Sequence, residues 1–312
     1  MKWLAAAMVA TASFLTLGSA PAGHGANVRV SGPRSNKSSL KLKTFTWTGR
    51  PVSPKAIPLG DGHVSTSPKR GYVDSCVTQF NGKGANGKTP WIDKLAMTWD
   101  ARTKPTVEGA VSWPSATHTF SVIYASRVLS TNDLPEGEKT GTFPIQTSDP
   151  AYQYDQNPNT IVAQSIIENV PASPRRTSAP ECLNLGPIGV TTDGVVLFDA
   201  LDGEGRDAGA HEILDACDGH PAPGGVYHYH VIGSCLTGRA EKDTSVLVGY
   251  ALDGYGIYAE WDSKGNLPTD ADLDACHGRT STVEWDGKAR DMYHYDVTLE
   301  YPYTVGCFHG SL

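Results

Sequence analysis

Two histidines alternate with two tyrosines in Tyr227-His228-Tyr229-His230, and further along the chain reads Tyr293-His294-Tyr295-Asp296. Successive side chains of a β-strand point to opposite faces, so His228 and His230 share one face and the tyrosines the other. Residues i and i+2 stand ~6–7 Å apart along such a backbone, close enough for one metal ion to bridge two imidazoles. Neutral imidazole is the commonest metal-ligating side chain, and its second nitrogen can be fixed by a carboxylate or a carbonyl. His294 and Asp296 repeat the phase in the second strand, and His220 lies just upstream of the first. The expected ligands are therefore His220, His228, His230, His294 and Asp296, converging from two strands packed about a pseudo-twofold axis. A set of this kind favours copper or zinc without choosing between them. The plainer expectation is a half-exposed strand whose tyrosines pack and whose histidines are hydrogen-bonded or wet.

Other chemistry is weaker in the sequence. Asp199, Asp202, Glu204 and Asp207, and then Asp262, Asn266, Asp270, Asp272 and Asp274, gather oxygen ligands among glycine turns. Neither run has the twelve-residue calcium-loop pattern with its closing Glu, so solvated loops are expected. His211-Glu212 begins a zinc-protease motif and stops, which leaves His211 on a solvated helix face. His309, near the terminus, is expected to be exposed rather than ligating. There is no Gly-x-Ser-x-Gly, phosphate-binding loop or dinucleotide fingerprint.

The elements that must position these residues are written twice. Gly189–Phe198 is answered by Gly249–Tyr258, Leu-Asp-Ala-Cys at 214–217 returns at 273–276, and each copy closes on a Cys, at 235 and at 307. Same order with different loop lengths indicates an internal duplication. Two short helices are expected, Ala208–Ala216 with Asp207 as N-cap, and Asp270–Ala275 with Thr269 and Asp272 as a capping box. Upstream, short β-leaning runs at Phe45–Thr48, Leu95–Trp99, Val107–Trp113 and Thr117–Ala125 are separated by turn residues, and Thr160–Val170 is apolar enough to join a sheet. The fold class is mainly β: antiparallel sheets, a duplicated C-terminal module and a few short helices.

The 312 residues divide into a signal peptide (1–22), a flexible linker (23–45), an N-terminal β-rich region (46–150) and the duplicated module (151–312). Lys2 precedes the apolar run Trp3–Leu17, and Ala20-Pro21-Ala22 offers a small-x-small cleavage site, so the protein is expected to be secreted, extracellular or periplasmic. No run is long enough for a transmembrane segment. A net charge of −7 argues against nucleic acid as a partner. A small-molecule or carbohydrate partner is left open. Six cysteines in an oxidising compartment suggest three disulfides. The symmetry of the copies assigns Cys217 to Cys235 and Cys276 to Cys307, leaving Cys76 for Cys182.

Gly-Gly-Val-Tyr-His-Tyr-His at 224–230, Leu-Asp-Ala-Cys-Asp-Gly-His-Pro at 214–221, Gly-Tyr-Ala-Leu-Asp-Gly-Tyr-Gly-Ile-Tyr at 249–258 and Tyr-Pro-Tyr-Thr-Val-Gly-Cys-Phe-His-Gly at 301–310 together resemble the YHYH-domain family of secreted proteins. The resemblance covers about residues 141–312 and implies location and extent, but no settled activity. The family's second copy often repeats Tyr-His-Tyr-His where this chain has Asp296, which favours a three-histidine or His/Asp site. The expected function is metal binding by a secreted protein with a His-rich strand pair. The alternatives are a metal-dependent extracellular enzyme, hydrolytic or oxidative, and a structural or carbohydrate-binding module that uses the tyrosines as a stacking surface.

Overall fold

The computed structural model describes residues 45–85, 87–237 and 242–312. The expected signal peptide and all of the expected linker but Phe45 lie outside the described residues. The centre of the fold is one eight-stranded sheet: β1 (Pro187–Thr191), β2 (Val196–Phe198), β3 (Gly219–Pro221), β4 (Tyr227–Tyr229), β5 (Thr244–Ala251), β6 (Gly256–Trp261), β7 (Gly278–Trp285) and β8 (Lys288–Asp296), in the order β3-β4-β2-β1-β5-β6-β8-β7. Read from either edge, the order follows the same plan. Within each half, a tight Asp-Gly turn joins the first antiparallel pair, at Gly194 and Gly254, both at positive φ. The second strand then pairs in parallel with the Tyr-His-Tyr strand, Leu197 with Tyr229 and Ile257 with Tyr295. At the centre, Val190 faces Tyr250, flanked by Gly189 with Ala251 and Thr191 with Gly249.

The repeated motifs have a common structural use. Tyr229 Oη donates to Asp193 (2.9 Å) and Tyr227 Oη to Asp215 (2.8 Å); Tyr295 and Tyr293 donate to Asp253 (2.5 Å) and Asp274 (3.1 Å). The Asp of each Asp-Gly turn and the Asp of each Leu-Asp-Ala-Cys thus accept from the two phenols of the Tyr-His-Tyr strand. A buried phenol needs such a partner, because an unpaired hydroxyl loses its water without compensation. Glycine is required at 219 and 278, where a Cβ would run into the rings of Tyr227 and Tyr293. All four tyrosines are buried. That removes the stacking surface expected of a carbohydrate-binding module, and the strand is buried on both faces rather than half-exposed.

The three disulfides pair Cys217 with Cys235, Cys276 with Cys307, and Cys76 with Cys182. Ile57, Leu59, Val73, Trp91, Trp99 and Val107 enter the same hydrophobic cluster as Leu197, Tyr229, Ile257 and Tyr295, so the N-terminal region and the large sheet share a core. Of the strands expected upstream, His118–Ile123 forms, and with Ser126–Thr131 and Ile166–Pro171 it makes a three-stranded antiparallel sheet. The runs at 95–99 and 107–113 shrink to Thr98–Trp99 and Val111–Ser112, and Phe45–Thr48 is irregular. Among the described residues, no helix is long and apolar enough to cross a membrane.

The expected helices are shorter than their sequence signals. Asp207 caps α1 (Ala208–His211), accepting from Ala210 N, but Glu212 turns extended (φ −82°, ψ 143°). Beyond it the backbone is drawn away: Val107 N donates to Leu214 O, and Asp215 N to Gly219 O. Tertiary pairing overrides local helix preference here. Asp270–Ala275 keeps only the 3-10 turn Asp270–Asp272, with Thr269 N and Oγ1 both donating to Asp272. A turn not foreseen, α2 (Ser234–Thr237), carries Cys235.

Candidate metal centre

β3 and β4 pair antiparallel with His220 directly opposite His228, and His230 follows at the end of β4. All three imidazoles are buried, and each offers one nitrogen within 4.8 Å of the others. His230 Nδ1–H donates to Asp199 O (2.5 Å), and His228 Nδ1–H lies 3.3 Å from Val226 O. A carbonyl can only accept, so both rings carry a proton on Nδ1 and turn Nε2 inward. Those two Nε2 atoms are 3.1 Å apart. Ligands of a tetrahedral zinc ion, at 2.0–2.1 Å from the metal, stand ~3.3 Å from one another.

Glu212 completes one side of the cluster. Its Oε2 is 3.0 Å from His220 Nε2 and 3.2 Å from His230 Nε2. Neither contact is aligned as a hydrogen bond for Oε2 or for His220, whose two ring nitrogens are buried and unpartnered. Buried polar atoms are almost always satisfied, so this set fits a cation that the side chains would share. Burial works against the charge of Glu212, but the flanking His220 and His230 outweigh it and hold the carboxyl well below its usual range. Burial, reinforced by His220 and His230, keeps His228 well below the ordinary imidazole value and therefore neutral. His230 also suffers from burial, yet Glu212 and the Asp199 carbonyl raise it. Phe198, at the end of β2, stacks on His228 with centroids 4.0 Å apart and meets His230 edge-on.

The cluster forms one wall of a cavity of about 770 Å³. Tyr152, Tyr154, Asn157 and Asn159 also line it, while its lining residues Lys83, Gln153 and Gln156 are exposed. The N-terminal region and the 150–160 segment thus enclose a site whose ligands lie on the large sheet. The volume falls in the ~300–1,000 Å³ range of small-molecule sites.

His294 and Asp296 do not join this cluster. β4 and β8 are separated by β2, β1, β5 and β6, five inter-strand steps or ~24 Å, so the expected convergence of the two strands does not occur. The sequence indicates two similar strands but not that each would lie on an opposite arm of one sheet. His294 and Asp296 instead group with Glu260, all three fully buried. Burial lowers His294 and raises Asp296.

Further expectations need correcting. His211 is buried, not solvated, with Nε2 2.9 Å from Asp61. His309 is half-buried and stacks on Tyr293. The acidic loops are solvated only in part: Glu204 is exposed and Asp270, Asp272 and Asp274 are half-buried. Asp199, Asp202 and Asp207 are buried, and Asp199 accepts from Leu201 N and Gly186 N, Asp202 from Glu204 N and Arg206 N, and Asp207 from Gly60 N. Asp262 accepts in the same way from Lys264 N and Asn266 N. Sequence reasoning missed Glu212, Phe198 and Glu260. Glu212 had one signal: it stands two residues before the repeated Leu-Asp-Ala-Cys, where the second copy has Ala271.

Residues 168–269 match the family model described as YHYH protein. The match takes in β1 to β6 and stops short of β7 and β8. No curated protein and no solved structure matches the chain.

Proposed function

We infer that this chain, of the YHYH family over residues 168–269, is a secreted protein that binds copper or zinc through His220, His228 and His230. The observation that carries this reading is the pair of inward-facing Nε2 atoms 3.1 Å apart, with His220 and the Glu212 carboxylate beside them. Two lone pairs at that distance repel unless a proton or a metal ion lies between them. A third imidazole without any hydrogen bond favours the metal. The ion would supply a Lewis-acidic centre, and Glu212 would balance part of its charge and orient the rings. Secretion is supported by the three disulfides, which persist in oxidising compartments.

The test is elemental analysis of protein purified without added metal, alongside a His228→Ala, His230→Ala double variant. About one equivalent in the parent and its loss in the variant are expected. No metal in the parent, or equal metal in both, would refute the reading.

A metal-dependent enzyme is the second reading, favoured by the cavity that reaches from the histidines to exposed lining residues. Three protein ligands leave a fourth position for water or substrate. Azide added to the Cu²⁺-loaded protein should then change its absorption and paramagnetic resonance spectra. An unchanged spectrum would leave the site closed and non-catalytic.

A further inference from the structure

The second Tyr-His-Tyr strand carries a cluster built on the same frame but filled differently. Opposite His228 stands His220; at the matching register, opposite His294, stands Arg279. His294 Nδ1 faces the Met292 carbonyl as His228 Nδ1 faces that of Val226, so its Nε2 lone pair also points inward. There it meets Glu260 Oε2 and Asp296 Oδ2, each at 3.6 Å. All of these atoms can only accept while the carboxylates are ionised, and neither carboxylate nor the imidazole Nε2 has a hydrogen bond. The cation among them is the guanidinium: Arg279 Nη2 lies against Glu260, and Nε is 3.3 Å from Asp296 Oδ2. On its outer side Arg279 is covered by Trp47 and Phe45, with ring centroids 4.8 and 5.5 Å away. Those rings belong to a segment that Asp272 holds by accepting from Thr48 N and Gly49 N.

We propose that Arg279 is a built-in cation that takes, in the second half of the sheet, the place a metal ion takes among His220, His228 and His230, so that the Glu260–His294–Asp296 cluster is closed to metal. The comparison rests on the three-histidine reading, but the closure of the second cluster can be tested without it. A fixed positive charge repels a divalent ion from donors that would otherwise suit one, and the aromatic cover keeps the guanidinium from swinging out. The two halves would then share one frame and differ in the source of their positive charge.

The experiment loads the full chain with Zn²⁺, removes excess, and counts bound ions in four proteins. These are the parent, His228→Ala with His230→Ala, Arg279→His, and the triple variant. Arg279→His should gain one ion over the parent, and the triple variant should hold one where the double variant holds none. The proposal is overturned if folded Arg279→His gains nothing. It is equally overturned if the double variant still holds an ion that a further Glu260→Gln removes. That second arm keeps Arg279 in place, so it decides the matter even if Arg279→His does not fold. A parent without zinc would refute the three-histidine site alone; an ion gained on Arg279→His would still support closure by Arg279.

Discussion

Asp133 is fully buried beside the start of β2, and replacing it with Asn should reverse part of the pH dependence of stability. Its Oδ1 accepts from Val196 N at 2.9 Å, whereas Oδ2 is buried without a partner. Burial pushes the carboxyl from its ordinary 3.8 up to about 8, against the pull of the Val196 and Tyr227 amides and with help from the negative charge of Asp193. Each tenfold change in proton affinity is worth ~1.36 kcal/mol, so the whole displacement is worth ~6 kcal/mol. The sign follows from proton binding. Between about pH 4 and 8 the folded chain keeps this proton and the unfolded chain has released it, so stability falls as pH rises through that window. Asn keeps the acceptor for Val196 and never ionises. In urea unfolding, Asp133→Asn should match the parent near pH 4 and exceed it increasingly toward pH 8, by several kcal/mol. Subtracting one protein from the other cancels the remaining carboxylates, including Asp199 and Asp218, which burial raises to about 6. A difference that stays constant from pH 4 to pH 8 would show that Asp133 is ionised in the fold and refute the reasoning.

Glu212→Gln keeps the shape but removes the charge beside His220 and His230, and should weaken zinc binding ~10–100-fold in a chelator competition. Tyr229→Phe removes the 2.9 Å hydrogen bond to the buried Asp193 and should cost ~1–3 kcal/mol in chemical unfolding, with little change in metal content. Replacing Cys76 and Cys182 by Ser opens a link between residues 106 apart in sequence and should cost ~4–5 kcal/mol, measured as a lower urea midpoint with a steeper slope, because the unfolded chain becomes less compact.

Much of the site follows from local arithmetic. Period-two alternation put His228 and His230 on one side of β4 and both tyrosines on the other. The repeated Cys positions suggested, by symmetry, that each copy closes its own loop, which left Cys76 for Cys182, and the three disulfides follow that pairing. His220 could be named because it lies just upstream of β4, but only the pairing of β3 with β4 sets it opposite His228. Capping signals at Asp207 and Thr269 located two helical starts, but not their ends, since the ends depend on partners distant in sequence, such as Val107 for Leu214.

The recurring motifs, the alternation of rings along each strand and three of the clustered imidazoles were thus legible in the chain, being matters of spacing within one segment, and symmetry between the motifs suggested the disulfides. The rest emerges from the folded chain alone: β1 and β5 meet at the centre and send the two Tyr-His-Tyr strands to opposite arms, Glu212 turns into the first cluster, and Arg279 sits within the second. The physical reason is that strand order and side-chain convergence are set by burial and pairing between segments far apart in the chain. A repeat fixes what each half contains, while the packing between halves fixes whether its ligands share a centre.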